Sequence, residues 1–385
     1  MFAKILIALS PLPLILASCG TTAAGDSRSA SQGQTEGFSS EVLGSFDEPW
    51  AAAFAPGTQV LFVTEKGGTI KFRDVRSGRL GTVTGVPKVD YGGQGGLGEI
   101  AFLPAEAAST LSRRTIYLTW AEAGSGDTRG AALGKGTLVC EEADSCRIEG
   151  FSVIWRQQPK VTGRGHYSHR IAFSPDGKYL FLASGERQKF TPAQDLSVNL
   201  GKVLRLNPDG SPAAGNPLAA KGGISAQIWT YGHRNILGLK FDAAGQLWDL
   251  EHGPAGGDEL NQVKQGQNYG WPLVSDGDHY DGKPIPRHAT RPDLAAPAIS
   301  WNPVIAPGDF IFYSGKMWPE WKGQALIAAL GSEGLVRASI DGNKATEQAR
   351  YPLGKRIREI VEGADGSIYI LEDGDGGRLL RLSRK

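Results

Sequence analysis

No sign of charge dominates this sequence. Its 385 residues carry 41 basic and 40 acidic side chains, a formal net charge of +1. No basic run interrupts the balance, so a nucleic-acid footprint is excluded. Long apolar runs are missing too: beyond the first twenty residues no stretch is long enough to span a bilayer. Helical stretches are few, because 53 glycines and 22 prolines punctuate the whole length with turns. Cysteine is scarce, with Cys19, Cys140 and Cys146 the full complement. What the chain does have is apolar side chains, 40% of the total. That suffices for two domains or for one large all-β unit.

The first residues read as an address. Lys4 precedes the apolar run Ile5–Ala17, which ends in Leu16-Ala17-Ser18-Cys19-Gly20. A basic start, a short apolar core and small residues at the cut describe an export signal. Leu-Ala-Ser-Cys also resembles the bacterial lipoprotein box, whose cysteine becomes the lipidated first residue of the mature chain. The alternative is an ordinary signal that discards Cys19; the position of the cysteine at the expected cut favours lipidation. Residues 1–19 are therefore expected to be a lipoprotein signal peptide and 20–45 a flexible tether, Ser-, Thr-, Ala-, Gly- and Gln-rich from Thr21 to about Gly37. Residues 46–385 are expected to form a single domain. The expected location is the periplasm, with a lipid anchor in a bacterial membrane, inner or outer left open. In an exported chain Cys140 and Cys146, which bracket EEADS, are expected to form a disulfide. Free thiols or a metal pair fit less well, since no histidine or further cysteine is near.

From Phe46 onward one phrase recurs: a short β-rich run, a turn with Gly, Asp or Pro, and a second β-rich run. Clear copies are FAPGTQVLFVTEKGGTIKF from Phe54, IAFSPDGKYLFLASGE from Ile171, LKFDAAGQLWDLEHG from Leu239 and IVEGADGSIYILEDGDGGRLLRL from Ile360. Looser copies start at Ile100 and Gln324. About six such units predict an all-β, six-bladed β-propeller with four-stranded antiparallel blades. A pair of β-sandwiches also gives many short strands, but has no reason to repeat the phrase. Helical turns are expected only at Gln194–Asn199 and Pro319–Trp321.

Chemistry-bearing residues concentrate between Ile228 and Trp271. There YGHRN at Tyr231–Asn235 and EHGPAGGDE at Glu251–Glu259 flank one hairpin, with its turn at Ala243–Gly245, so they meet at one end of a sheet. Gly253 and Pro254 expose carbonyls in a kinked loop and Glu259 adds a carboxylate, a set that suits a hard cation; a glycine-rich turn with a solvated acidic pair reads equally well. GHYSHR at Gly165–Arg170 puts two histidines before a strand, where one is placed to act as a general base. Zinc would need a third ligand that the sequence does not show nearby. Arg356 and Arg358 alternate with Ile357, so both face one side and make a fork for a carboxylate-rich or quinone-like ligand; a solvated strand face is the alternative. Asp195 and Asn199 either line the cavity or cap a short helix, capping being the safer reading, and DGDGG at Asp373–Gly377 reads as a hairpin turn.

Taken together these phrases resemble the soluble PQQ-dependent sugar dehydrogenases, and the aldose sugar dehydrogenase branch more than the glucose-specific one. The resemblance runs in order from about Phe46 to Leu382. It is carried by GQGGLGEIAF at Gly93–Phe102, H-x-x-x-R-I-A-F at His166–Phe173, SGE at Ser184–Glu186, AQDLSVNLGKVLRL, YGHRN, EHGPAGGDELN, NYGWP and RIREIVEGADGSIYIL. It implies PQQ and Ca2+ as cofactors and an aldose as substrate, with an electron acceptor it does not identify. By position, His166 matches the general base, with Glu186 beside it where the glucose-specific branch has Asp. Gln94 matches a residue holding substrate and cofactor, Arg234 and Asn235 the pair beside the quinone, and Arg356 and Arg358 the grip on the PQQ carboxylates. Gly253 and Pro254 match carbonyls holding the calcium on the quinone; Glu259 and Tyr269 match ligands of a second, structural calcium. Ala328–Gly334, reading AALGSEG, offers no counterpart of the family's additional PQQ-binding lysine. The implied reaction passes a hydride from the anomeric carbon to the quinone while His166 takes the hydroxyl proton. Two other classes compete: a Ca2+-dependent propeller lactonase or esterase, which has little need of paired arginines, and a non-catalytic ligand-binding propeller, which needs no base.

Overall fold

The computed structural model describes residues 37–385. The export signal, Cys19 and the first part of the tether lie outside the described residues. Among the described residues the only helices are short 3-10 turns, and the strands form four four-stranded sheets and one of eight strands. The eight-stranded sheet is two four-stranded blades joined edge to edge, where Thr82, Val83 and Thr84 pair in parallel with Ser145, Cys146 and Arg147. That makes six blades, as the repeat predicts.

Each blade begins at the centre of the ring. The inner strands are Pro49–Phe54, Leu97–Phe102, Ser168–Phe173, Ile236–Phe241, Pro307–Phe312 and Ile357–Glu362. Each packs against the next, and the last against the first. Their neighbours follow outward with antiparallel pairing, for example Leu239↔Asp249 and Leu250↔Leu260 in the fourth blade. Apolar residues on both faces of these strands fill the seams. The second and third blades meet at residues such as Tyr117 and Leu133 against Leu182 and Leu204, and the third and fourth at Phe181 and Val203 against Ile236 and Leu239. Full burial of each such side chain is worth about 1.5–3 kcal/mol, so these seams carry most of the stability.

Two local features differ from or refine the sequence reading. Phe38–Phe46, expected to be tether up to residue 45, is the outer strand of the last blade, paired antiparallel with Gly377–Arg384. This joins the two ends of the folded chain and closes the ring. The strand is Ser- and Glu-rich because only Phe38, Leu43 and Phe46 are buried; Phe38 sits edge-on to Trp318 and Trp321. Cys140 and Cys146 form the expected disulfide. Within their loop, the Asp144 carbonyl accepts from the Thr82 amide at 3.0 Å, so the clip stiffens the join between the first two blades.

Candidate active site

The loops at one end of the ring bring the dispersed candidates together. The strand turn at Ala243–Gly245 lies at the other end of its hairpin, and Tyr231–Asn235 meets Glu251–His252 as expected. The Arg234 amide donates to Glu251 Oε2 at 2.7 Å, and the His252 amide to the Asn235 carbonyl at 3.0 Å.

His166 and Glu186 form the centre. His166 Nδ1 donates to Glu186 Oε1, both side chains being buried. The carboxylate also accepts from the amides of Gln188 at 3.0 Å and Phe190 at 2.6 Å, so its orientation is fixed by a tight loop. Burial lowers the pKa of His166; Glu186 opposes this and the Arg234 charge adds to it, leaving a net fall below the ordinary value. For Glu186 burial works against ionisation, but the His166 hydrogen bond and neighbouring charges outweigh it and keep it anionic. A neutral imidazole whose Nδ1 proton is held by a carboxylate has Nε2 free to accept a proton. The His166 amide donates to Gln94 Oε1 at 2.7 Å, which ties His166 to the second blade.

This geometry is strained. Of nine non-glycine residues with positive φ among the described residues, six lie between His166 and Phe190: His166, Ser168, His169, Arg187, Gln188 and Phe190. Such backbone persists only where surrounding contacts fix it, and it concentrates at functional sites. Gly185 permits the close approach of the two loops, since a Cβ there would lie 2.0 Å from the His166 carbonyl oxygen.

Below the loops is a cavity of about 180 Å3, and Gln94, Asn235, Arg356, Arg358, His169 and Lys66 are among its lining residues. Arg356 and Arg358 both reach the cavity, and they share an anchor. Arg356 Nε and Arg358 Nε donate to the two oxygens of Asp373, each at 2.9 Å. Asp373, read from sequence as a turn residue, is thus the positioning residue of the fork; its spacing along the chain gave no sign of this. The segment Ala328–Gly334 brings no cation, but Lys66, from the first blade's hairpin turn, lines the cavity and pairs with Glu48 at 2.9 Å.

The second candidate cluster is a buried acidic pocket. Asp249 and Glu251 alternate on one face of Leu247–Glu251, opposite Asn261 and Glu259. Burial, reinforced by the charge of Glu251, pushes the Asp249 carboxyl up. Glu259 is also raised, chiefly by burial, while His288 Nε2 at 3.0 Å from Oε1 partly offsets this. Potential ligand atoms of His233, Asp249 and Glu251 lie within 4.8 Å of one another. A void of about 10 Å3, room for one small ion or water, is lined by Glu251, Glu259, Gly253 and Tyr269. The Tyr269 hydroxyl donates to the Gln262 carbonyl at 2.6 Å and accepts from the Lys264 amide, so only its backbone carbonyl remains for a metal. The period-two pattern of LWDLE was the signal for Asp249 and Glu251. The Gly253 loop is held by Asp258, whose Oδ1 accepts from the Gly253 amide at 2.9 Å and Oδ2 from Ala306 at 2.7 Å. Among the described residues no hydrogen bond reaches the Gly253 or Pro254 carbonyl oxygens. Both are available to a hard cation.

Between Pro254 and Arg234 opens an aromatic cleft of about 330 Å3 with Phe190, Trp271 and Tyr280 in its walls. Phe190 stacks on Trp271 at 5.5 Å, and Arg234 donates to the Tyr280 hydroxyl at 3.1 Å. Elsewhere the turn expected at Gln194–Asn199 is a 3-10 turn at Thr191–Ala193, set by Pro192; Asn199 instead accepts from the Gln158 amide at 2.6 Å. Asp195 forms a local turn with the Ser197 amide. His166 and His169 do not form a metal pair: the first holds Glu186 and the second lies parallel to Tyr167.

A propeller with a histidine–carboxylate pair, paired arginines and unbonded loop carbonyls defines a class, and comparison with known proteins gives its family. The chain matches the glucose/sorbosone dehydrogenase family over residues 46–381 and belongs to it. It is 36% identical over 345 residues to the aldose sugar dehydrogenase YliI of Escherichia coli, covering 88% of this chain and 90% of that one. Among solved structures, a glucose dehydrogenase aligns with a TM-score of 0.83 at 38% identity, covering 90% of this chain and all of the other. The PQQ-bound aldose sugar dehydrogenase of Streptomyces coelicolor aligns with a TM-score of 0.71 at 27% identity, covering 90% and 98%.

Proposed function

We propose that this protein oxidises aldoses at the anomeric carbon to lactones, using PQQ and Ca2+. The observation that carries the reading is the neutral His166, oriented by Glu186, tied through Gln94 to a cavity that Arg356 and Arg358 line. The residues fit the cofactors. Three cations, Arg356, Arg358 and Lys66, suit a flat tricarboxylate. The unbonded Gly253 and Pro254 carbonyls suit Ca2+, as do Glu259 and the Tyr269 carbonyl at the small acidic void. PQQ, when bound, supplies the two-electron acceptor that no side chain can provide.

The protein's own part is binding, orientation and proton transfer. The aromatic walls of the cleft meet the apolar C–H face of a pyranose, while Arg234 offers hydrogen-bond donors at its edge. His166 Nε2 takes the proton of the anomeric hydroxyl as the C1–H bond breaks. Glu186 stabilises the resulting imidazolium through Nδ1 and keeps the ring in its productive tautomer. Arg234 places fixed positive charge where negative charge develops.

We read the chain as exported and held to a bacterial membrane by lipid at Cys19. The disulfide at Cys140–Cys146 supports an oxidising compartment. The test of function uses purified protein loaded with PQQ and Ca2+, with absorbance spectra taken before and after an aldose panel. Sugar-dependent bleaching of the oxidised quinone is the expected result. Binding without reduction by any aldose would overturn the substrate class, and no PQQ binding would overturn the dehydrogenase reading in favour of a Ca2+-dependent hydrolase or a binding protein.

A further inference from the structure

Arg187 has no part in the chemistry above, yet it touches the chain on both sides of His166. It is fully buried, and its guanidinium donates to three backbone carbonyls and to no carboxylate among the described residues. Nε reaches the Gly165 carbonyl at 2.8 Å, Nη2 the Gly163 carbonyl at 2.6 Å and Nη1 the Arg129 carbonyl at 2.7 Å. The guanidinium lies over the Tyr167 ring, 3.7 Å from its centroid. The Arg187 amide donates to the His166 carbonyl at 3.2 Å. One residue therefore holds the backbone before His166, the carbonyl of His166 itself and the side chain after it. The same residue follows Glu186, whose carboxylate orients the imidazole.

A buried cation without an anion is costly, and an apolar side chain of similar volume would avoid that cost. Burial pulls the Arg187 guanidinium down to about 10, which leaves it charged at neutral pH. What the planar fork adds is a grip on a loop with few handles. Gly163 and Gly165 have no side chains to pack, so their carbonyls are what they offer. Arg164 between them reaches Asp90 at 2.7 Å, and Arg129 holds the same carboxylate at 2.6 Å. Arg187 closes this frame from the other side, tying the loop to Arg129 at the start of the second blade's strand Arg129–Val139. We propose that Arg187 is the positioning residue of the base, its guanidinium fixing the strained turn that carries the His166 imidazole against Glu186. The assignment rests on the reading of His166 as the base of a PQQ-dependent dehydrogenase. Its charge has a second consequence. His166 is faced by Glu186, by the charges of Arg234 and Arg187, and by His252, which burial holds neutral down to about pH 3. Burial does most to lower the His166 pKa, and Arg187 adds to the fall. Without that charge the imidazole takes up its proton at higher pH.

The test compares wild type with Arg187→Met, which loses the charge and the donors, and with Arg187→Lys, which keeps the charge but loses the planar fork. Enzyme loaded with PQQ and Ca2+ gives kcat, KM and PQQ affinity; 15N NMR of the unloaded protein gives the titration of the His166 ring. In the methionine variant kcat should fall roughly ten- to hundredfold. KM and PQQ affinity should stay within about twofold of wild type, and His166 should titrate at higher pH. The lysine variant should titrate as wild type does and have a kcat between the other two. If the methionine variant does not fold, the lysine variant decides: a lowered kcat at unchanged KM supports the assignment, and an unchanged kcat overturns it. Wild-type kcat and an unmoved His166 titration in both variants would leave Arg187 a packing residue. A joint loss of kcat, KM and PQQ affinity would likewise overturn the assignment, as general loosening of the site. Wild type that binds PQQ but turns over no aldose would overturn the dehydrogenase reading and this role with it, a result distinct from a variant that works as well as wild type.

Discussion

Two clusters of buried charge sit in this ring, and they are completed differently. Where the inner strands converge, Arg170 Nη1 donates to Glu99 at 2.9 Å and Glu359 at 2.7 Å, Nη2 to the Gly308 carbonyl at 2.7 Å and Nε to the Leu237 carbonyl. Lys240 pairs with Asp309 at 2.9 Å. All six blades contribute: Trp50 of the first lies under the guanidinium at 4.3 Å, and the second to sixth supply the residues just named. Burial, joined by the charge of Asp309 and opposed by that of Arg170, pushes the Glu359 carboxyl well above its ordinary value. The protein supplies every partner the Arg170 guanidinium needs. Near the loops, by contrast, His169 and Arg234 Nε have buried nitrogens without hydrogen-bond partners among the described residues, whereas the atoms without one in the first cluster are the oxygens of Asp309, which Lys240 and Arg170 face as cations. The first cluster is balanced by charges from its own blades, while the second leaves buried donors open, a costly arrangement.

That contrast is broken most sharply by exchanging the two outcomes. His166→Ala should lower turnover about a thousandfold or more, with PQQ affinity near wild type; full activity would remove His166 as the base. Arg170→Met should do the reverse at the level of stability. Removing one partner from a buried charge cluster costs about 3–5 kcal/mol, read as a lower midpoint in urea. A midpoint unchanged from wild type would show that the cluster does not fasten the blades. Arg356→Ala with Arg358→Ala should weaken PQQ binding by roughly ten- to hundredfold, since hydrogen bonds to charged groups are worth about 1.5–3 kcal/mol. An unchanged dissociation constant would separate the fork from the cofactor.

The smallest effect is in acid. Burial, then the charges of Arg187 and Arg170, lower the pKa of His169 from 6.5 to about 3, with Tyr167 uncharged beside it. The unfolded chain takes up a proton near 6.5 that the folded chain refuses until about 3. Its contribution is therefore whole above pH 6.5 and is lost as pH falls toward 3, by up to about 1.4 kcal/mol per pH unit. Between pH 7 and 5, His169→Gly should lose less stability than wild type in urea denaturation. Equal losses would show that this histidine is not held neutral.

Much of this was legible before any coordinates. The repeated turn-and-strand phrase counts the blades because each blade needs the same alternation of buried residues, and local sequence records that alternation. YGHRN and EHGPAGGDE could be placed together because one hairpin separates them. Asp373 could not be recognised, since a carboxylate that anchors two arginines 17 and 15 residues away looks like any other turn residue. Phe38–Phe46 was hidden because an outer strand with three buried side chains has the composition of a tether. Lys66 was hidden because the cation it adds comes from the first blade and not from the segment where the resemblance places a lysine.

The sequence by itself determined the strand alternation, the turn chemistry, the histidine and arginine types and the pair of cysteines, all properties of neighbours along the chain. The tertiary structure alone decided which end of the ring the loops share, that the N-terminal strand closes it, and which buried polar groups have partners. The reason is physical. Period and turn type are set over a few residues, whereas hydrogen-bond satisfaction in the interior depends on groups brought together from distant blades, and in this ring those groups meet only once it has closed.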